Sequence, residues 1–264
     1  MSVPILMYHS IAHEPTEATR ELSVSPGAFA EQLDLLGERG FTPLSTAALA
    51  AIWRSPGRAL PARPVLITFD DGYEGVHRHG LPVLAKHGFA STVFVTTGWL
   101  RGAHDTGGGL DLMLDWDQVR ELAASGAEIG GHSHTHPELD QLADADLWSE
   151  LLRCKEIIAD ELGTRPASFA FPYGYSDRRV RRTVRGAGFA QSLAVGNRLA
   201  RRAQGPYALQ RVTVRRSTGI EEFERLVEGR AIARNFAKDC ALTKGYAVVR
   251  RARQARRKAT RTRV

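Results

Sequence analysis

A pair of adjacent carboxylates, Asp70 and Asp71, is the clearest candidate for chemistry in this sequence. It directly follows an apolar run at residues 65–69, which predicts a buried strand, and it precedes Gly72. Two carboxylates at the end of a buried strand raise each other's pKa unless a cation lies nearby. Because neighbouring residues point in different directions as they leave a strand, one carboxylate can bind a metal while the other faces a substrate. A plain Asp-Gly turn is the alternative.

A histidine cluster supplies further ligands for such a metal. Three of the nine histidines, His132, His134 and His136, fall within five residues. The two glycines before the cluster and the proline after it favour a strand end and a turn over a helix. Two neutral imidazoles and one carboxylate form a ligand set of catalytic metals, with positions left for water and substrate. We expect His134 to support the site or to face substrate or solvent. A surface cluster without a metal is the alternative.

Strand-like runs alternate with helix-like segments along the chain. The predicted strands are residues 3–8, 65–69, 92–96, 127–129, 168–171, 191–194 and 209–214. This alternation indicates an α/β fold with a mainly parallel sheet covered by helices. With seven or eight strands and no glycine-rich dinucleotide loop, a closed or partly closed (β/α) barrel is favoured. Reactive groups of such barrels lie at the C-terminal ends of strands, and each candidate above follows a predicted strand.

Capping residues predict where the helices begin and end. Ser25 precedes a proline and starts one helix, and Ser45 and Asp115 start two more. The longest predicted helix spans residues 144–162 and ends at a glycine. An arginine-rich helix is predicted over residues 178–185.

Length and composition favour one large domain. The chain has 264 residues, of which 43% are hydrophobic, and no apolar run approaches the roughly 18 residues of a membrane-spanning helix. Its two cysteines, Cys154 and Cys240, are too few for a disulfide framework. The N-terminus lacks the pattern of a signal peptide. We therefore expect a cytoplasmic protein, with the inner face of the membrane as a further location.

The net charge of +7 comes from the C-terminal end. From Lys244 onward there are nine basic residues and no acidic one, while the rest of the chain carries 27 basic and 29 acidic residues. We expect a catalytic domain over residues 1–230 and a basic, helical or disordered extension over 231–264. The extension is either merely solvated or in contact with an anionic membrane surface. Specific nucleic-acid binding is not expected, because Tyr246 is the only aromatic residue from Lys244 onward.

Several of these motifs resemble those of the polysaccharide deacetylases, carbohydrate esterase family four, which have the NodB-homology domain. Residues 68–72 (Thr-Phe-Asp-Asp-Gly) and 132–136 (His-Ser-His-Thr-His) resemble the first two motifs of that family. Residues 169–174 (Phe-Ala-Phe-Pro-Tyr-Gly) resemble the third. Residues 6–10 (Leu-Met-Tyr-His-Ser) resemble the opening of the branch with the poly-N-acetylglucosamine deacetylases. The resemblance spans residues 3–228.

The resemblance implies a deformed (β/α) barrel that removes the N-acetyl group of an amino sugar in cell-surface polysaccharide metabolism. One divalent metal, Zn²⁺ in the first place and Co²⁺ or Ni²⁺ otherwise, would be bound by Asp71, His132 and His136. Asp70 would be the base that takes a proton from the attacking water. The backbone N–H of Tyr173 would stabilise the oxyanion.

Two groups usual in the family are absent from their motifs. The third motif lacks an arginine that contacts the catalytic aspartate, and no histidine follows His136 to act as general acid. His9, at the end of the first predicted strand, is our candidate acid, and a hydrogen bond to a neighbouring loop is its alternative role. We expect Arg211 either to orient Asp70 or to bind substrate.

Substrate contacts are expected from Pro172, Tyr173, Arg211 and Trp116, the last beside a glycine-rich loop. The expected partner is a carbohydrate, and the oligomeric state is left open. One rival function is a metal amidase acting on another N-acyl or formyl compound. The other is a catalytically silent glycan-binding domain, which would not need both Asp70 and Asp71.

Overall fold

A computed structural model describes residues 2–261, with side chains except at residues 244, 251 and 254–261. The strands are β1 (Ser2–Val3), β2 (Ile5–Tyr8), β3 (Thr42–Pro43), β4 (Pro64–Phe69), β5 (Thr92–Val95), β6 (Glu128–Gly131), β7 (Ser168–Ala170), β8 (Gln191–Val195), β9 (Ala200–Arg201) and β10 (Tyr207–Thr213). The helices are α1 (Pro26–Glu38), α2 (Thr46–Arg54), α3 (Leu81–His87), α4 (Trp116–Ala124), α5 (Asp144–Leu162), α6 (Arg178–Gly186), α7 (Ile220–Val227), α8 (Ile232–Asn235) and α9 (Ala237–Arg261).

Parallel strands close into a seven-stranded barrel. Their order is β2-β10-β8-β7-β6-β5-β4, and β4 pairs back with β2, from Ile5 opposite Leu66 to Tyr8 opposite Phe69. The short strand β3 pairs with the first two residues of β4, and β1 pairs with β9 as a separate antiparallel ribbon. The α/β barrel predicted from the sequence is confirmed, with the helices outside it.

Side chains of the barrel strands alternate between two packed layers. Leu66 of β4 belongs to a buried cluster with Ile5 and Phe94 from neighbouring barrel strands, which fills the interior. The residues on either side of Leu66 pack outward, against the helices. Because the period of a strand is two, Thr68 and Asp70 continue the inward-facing row. This alternation brings Asp70 to the C-terminal mouth of the barrel interior.

The predicted helix starts are confirmed by their capping contacts. Ser25, Ser45 and Asp115 each accept a hydrogen bond from the backbone N–H three residues further on. Helix α5 has the predicted bounds, and Gly163 ends it in the left-handed conformation with φ 69°.

Some elements differ from the sequence-based expectations. The single strand predicted over residues 3–8 is interrupted at Pro4, which has no N–H for a ladder hydrogen bond and instead accepts one from Leu66 at its carbonyl. The strands β3 and β9 are two residues long, too short to show alternation. A π-helical segment, Val76–Gly80, leads into α3. Neither this segment nor α3 was predicted, because Gly80 and Pro82 at their junction obscure the helical period of the sequence.

The C-terminal helices pack against the barrel domain. Ile232 and Phe236 are buried in a cluster with Val212 of β10. Within residues 2–261, no helix combines the length and the apolar character needed to cross a bilayer.

Candidate metal centre and catalytic cavity

Three ligand atoms converge above the C-terminal ends of β4 and β6. Oδ1 of Asp71 lies 3.2 Å from Nε2 of His132 and 3.3 Å from Nε2 of His136. All three ligand atoms lie within 4.8 Å of one another. Oδ1 of Asp71 is buried and has no hydrogen-bond partner in the described part of the chain. A buried, unpaired carboxylate oxygen facing two imidazole nitrogens fits a divalent cation. The structure thus brings the predicted ligand set together.

The backbone at this centre is held in an uncommon conformation. Asp71, Ser133, His136 and Tyr173 have φ values of 73°, 69°, 59° and 58°, in the left-handed region that non-glycine residues avoid. Such conformations cost about 1–3 kcal/mol each and persist where surrounding contacts impose them. Here the carbonyl of Asp71 accepts from the N–H of Thr96 at 3.1 Å, and the hydroxyl of Ser133 accepts from the N–H of His136 at 3.0 Å.

Neighbouring groups orient both imidazoles. Nδ1 of His132 lies 2.8 Å from the carbonyl oxygen of Ala170 and donates to it. That bond leaves the lone pair of Nε2 directed at the metal position. The ring of His136 packs between Trp99 and Tyr173, with 4.6 Å between ring centroids on each side.

His134 does not line the cavity, unlike its neighbours His132 and His136. Its side chain is buried, and its Nδ1 lies 2.9 Å from the hydroxyl of Thr97. The carboxylate of Glu150, on α5, accepts from the N–H groups of His134 and Thr135 at 2.9 and 2.8 Å, and from the Thr135 hydroxyl at 2.7 Å. His134 therefore has the supporting role, one of those predicted for it. Glu150 holds the turn of residues 132–136 against the long helix α5.

Removing the Glu150 carboxylate should loosen the turn of residues 132–136. We expect Glu150→Ala to weaken metal affinity about tenfold, the size of effect seen when groups that orient metal ligands are removed. Competition against a chromophoric chelator measures this. Glu156→Ala is the matched control, because Glu156 lies on the same helix and is exposed. Equal affinity of the two variants would show that the turn does not depend on Glu150.

Asp70 is clamped by a buried arginine from the last barrel strand. Nη1 and Nη2 of Arg211 lie 2.6 Å from Oδ1 and Oδ2 of Asp70, so the contact is bidentate. Arg211 also donates to the hydroxyl of Thr68 at 3.3 Å and to the carbonyl of Ala194 at 3.4 Å. Of its two predicted roles, Arg211 shows the contact that orients Asp70. It takes the place of the arginine missing from the third motif.

Both carboxylates are held in the ionised form. Burial raises the pKa of Asp70, but the guanidinium of Arg211 and the imidazole of His132 outweigh it, and the net pKa lies below its usual value. Burial likewise raises the pKa of Asp71, and His132 and His136 bring it well below the usual value. Each carboxylate is thus an anion at neutral pH, as a metal ligand or a base requires.

His9 follows β2 and lines the same cavity as the two carboxylates. Its Nδ1 is buried and finds no hydrogen-bond partner among residues 2–261, so the alternative loop contact is not seen at that atom. Burial lowers the pKa of His9, although Asp71 and Asp70 oppose this shift.

The cavity above the metal centre has a volume of about 830 Å³, within the range of small-molecule sites. Tyr173, predicted to contact substrate, lines it and is 54% exposed. The residues that line the cavity also include some that the sequence did not single out, among them Tyr73, Asn197 and Arg215. The strand-end rule could have found the last two, since they closely follow β8 and β10. Burial, and then the charge of Asp71, raises the pKa of Tyr73, which keeps its hydroxyl protonated.

Three predicted substrate contacts lie outside this cavity. Trp116 is 5% exposed and packs edge-on against His104, because the cap at Asp115 turns the start of α4 into the core. Pro172 is buried, and Arg211 is fully buried beneath Asp70. Trp99, on the other side of the glycine-rich loop, takes the cavity position expected of Trp116.

The sequence is similar to those of proteins named as polysaccharide or poly-N-acetylglucosamine deacetylases. YxkH of Bacillus subtilis (strain 168), named "putative polysaccharide deacetylase", is 28% identical over 212 residues, which are 80% of this chain and 71% of that protein. The poly-beta-1,6-N-acetyl-D-glucosamine N-deacetylase of Escherichia coli (strain K12) is 22% identical over 257 residues. That match covers 84% of this chain but only 38% of the Escherichia coli protein.

Solved structures share the fold. The Streptococcus pyogenes deacetylase PplD, in complex with acetate, superposes with a TM-score of 0.77 at 24% identity, over 86% of this chain and 98% of the other. IcaB from Ammonifex degensii gives a TM-score of 0.70 at 24% identity, over 86% and 97%. The family model for polysaccharide deacetylases matches residues 57–192, just over half of the chain, which include Asp70, Asp71 and the histidine cluster. The family predicted from the motifs is confirmed: the chain belongs to the polysaccharide deacetylases, hydrolases that act on N-acetyl groups of glycans.

Proposed function

We propose that this protein is a metal-dependent N-deacetylase of an amino sugar in a cell-surface glycan or a carrier-linked precursor of one. The observation that carries the proposal is the convergence of Asp71, His132 and His136 beside the ionised Asp70, at the floor of a single cavity. We propose Zn²⁺ as the resident metal, because a catalytic zinc takes three protein ligands of these types, with Co²⁺ or Ni²⁺ as substitutes.

The chain's own groups fit amide hydrolysis. A divalent cation held by the three ligands supplies Lewis-acid chemistry, polarising the amide carbonyl and making water more acidic. Asp70, fixed by Arg211, accepts the proton of the attacking water at its carboxylate. The backbone N–H of Tyr173, in the left-handed turn at the cavity wall, stabilises the developing oxyanion.

His9 donates a proton to the leaving nitrogen as the C–N bond breaks, giving acetate and a free amine. Its position on the cavity wall beside both carboxylates supports this role. Burial lowers the pKa of His9, so the imidazolium is a stronger acid than that of an ordinary histidine, while a smaller fraction of the ring is protonated at neutral pH.

The acid role of His9 predicts a dependence on the leaving group. We expect His9→Ala to lower kcat on an N-acetyl amide by about 10²-fold or more with metal content unchanged, in line with the loss of a general acid. Hydrolysis of a nitrophenyl acetate releases a nitrophenolate, which leaves without protonation, so this reaction should slow far less. His13→Ala, at an exposed histidine nearby, is the control. Equal losses on amide and ester would assign His9 a structural role.

A substrate panel tests the proposed function. Acetate release is measured with N-acetylglucosamine oligomers, a nucleotide-linked and a lipid-linked N-acetylglucosamine, and a set of N-formyl compounds, using metal-loaded protein. The proposal predicts acetate release from at least one amino sugar, and release about 10³-fold slower by Asp70→Asn. Release of formate alone would favour the amidase alternative. Binding of glycans with no release from any compound would favour a silent binding domain.

A further inference from the structure

One face of helix α9 fastens it to the barrel domain. Nε of Arg250 lies 2.9 Å from Oδ2 of Asp140, and both side chains are nearly buried. The guanidinium of Arg250 stacks over the ring of Tyr175, 3.3 Å from its centroid. Near the start of the helix, Asp239 pairs with Arg215 at 3.0 Å. Asp239 and Arg250 are eleven residues apart, about three helical turns, and so share a face. These contacts give α9 a fixed orientation.

A second face of α9 is apolar and faces water. Leu242, Tyr246 and Val249 recur at i, i+4 and i+7 and are 57%, 54% and 47% exposed, and the neighbouring Val248 is 64% exposed. We call these four residues the apolar stripe of α9. A contiguous row of large apolar side chains on a fixed surface marks an interaction site, whereas single exposed ones are ordinary.

The charge around the stripe indicates what covers it. Lys238, four residues before Leu242, and Arg253, four residues after Val249, are exposed at its two ends. From Lys244 to the end of the sequence there are nine basic residues and no acidic one. A basic helix with an apolar face is suited to the interface of an anionic bilayer, where the apolar face enters the lipid and the cations meet the headgroups. A second copy of the chain fits less well, because it would bring two basic segments together.

The stripe adjoins the mouth of the catalytic cavity. Leu242 and Tyr246 belong to the stripe and also line that cavity. Two further exposed apolar residues, Leu110 and Tyr173, line it as well, at 49% and 54% exposure. A surface that covers the stripe therefore lies beside the opening to the metal centre.

We propose that α9 docks on an anionic lipid surface through its apolar stripe and basic residues, and that the substrate is an amino sugar attached to a lipid. The lipid stays in the bilayer while the sugar enters the cavity. The docking follows from α9 alone, whereas the choice of substrate rests on the proposed function.

Vesicle sedimentation of the full chain tests the docking. We expect binding to vesicles of phosphatidylcholine with phosphatidylglycerol, at least tenfold weaker binding to phosphatidylcholine alone, and weakening with salt. The double variant Val248→Asp/Val249→Asp should lose at least tenfold in affinity for the anionic vesicles. Ile220→Asp is the matched control, because Ile220 is an exposed apolar residue of α7, at 38%, and should bind like the unchanged protein. Circular dichroism checks that both variants are folded.

Turnover separates the docking from the proposed function. Val248 and Val249 do not line the cavity, so the double variant should hydrolyse a short soluble N-acetylated sugar normally and a vesicle-borne one at least tenfold more slowly. Turnover of soluble sugar without vesicle binding by the unchanged protein would overturn the docking and leave the proposed function standing. Vesicle binding with no deacetylation of any substrate would overturn the proposed function and leave the docking standing. A dimer in sedimentation velocity that the double variant dissociates would assign the stripe to a second copy and overturn the lipid surface.

Discussion

Asp70→Asn protein is expected to bind its divalent metal with unchanged affinity and to lose about 10³-fold in kcat. The amide cannot take a proton from water, so the step proposed for Asp70 would be lost. The proposed metal ligands are Asp71, His132 and His136, and this substitution leaves all three unchanged. Metal content by elemental analysis and kcat on the best substrate of the panel measure the two effects separately.

Asp71→Asn is the matched comparison, one residue away. It should lose metal and activity together, because the carboxylate oxygen that faces both imidazoles is replaced by a neutral amide oxygen. A loss of metal in Asp70→Asn, or full activity in it, would contradict the division of roles between base and ligand.

Arg211→Met protein is expected to be about 3–5 kcal/mol less stable to unfolding, and inactive. Arg211 and Asp70 are both buried, and the guanidinium forms two hydrogen bonds with the carboxylate. Removing one partner of such a pair leaves an uncompensated buried charge, which is far more costly than removing both. Denaturant unfolding measures the free energy. Arg39→Met is the control: Arg39 pairs with Glu224 at the surface, and its loss should cost less than about 1 kcal/mol.

The double variant Asp70→Asn/Arg211→Met gives a sharper result. It should recover much of the stability lost in Arg211→Met while staying inactive, because the buried carboxylate that lacked a partner is now neutral. If the losses of the two single variants simply add, the two side chains are not energetically coupled and the clamp is not their main contact.

The sequence predicts the ligand set because its geometry is local. The two histidines are four residues apart in one turn, and Asp71 directly follows a strand whose apolar character shows that it is buried. The parallel barrel then brings the ends of β4 and β6 to one rim. Both inferences use short stretches of chain, and both place residues that the structure finds in contact.

The clamp on Asp70 shows where the sequence is insufficient. Arg211 and Asp70 are 141 residues apart, and their contact depends on barrel closure between β10, β2 and β4. The contact also depends on which alternate side chains of each strand face the barrel interior. From sequence alone, two roles for Arg211 were open, and a substrate contact looked as reasonable as an internal pair.

The sequence also does not show which of the two tryptophans beside the glycine-rich loop lines the cavity. Trp99 and Trp116 both flank this loop, but Trp116 is the first residue of α4, directly after the Asp115 cap, and its side chain is buried. The basic C-terminal segment was recognised by its charge. Its apolar stripe appears only once the docked face of α9 is known, because an isolated helix has no defined exposed side.

Metal titration of acetate release tests the central claim most directly. The full chain is stripped with a chelator and titrated with Zn²⁺, and acetate release from the best substrate of the panel is followed with bound metal measured in parallel. We predict no release by the stripped protein and a rise that levels off at one metal per chain, with neither metal binding nor release in His136→Ala. Undiminished release by the stripped protein, or normal release by His136→Ala, would contradict a hydrolase that depends on a metal at this centre.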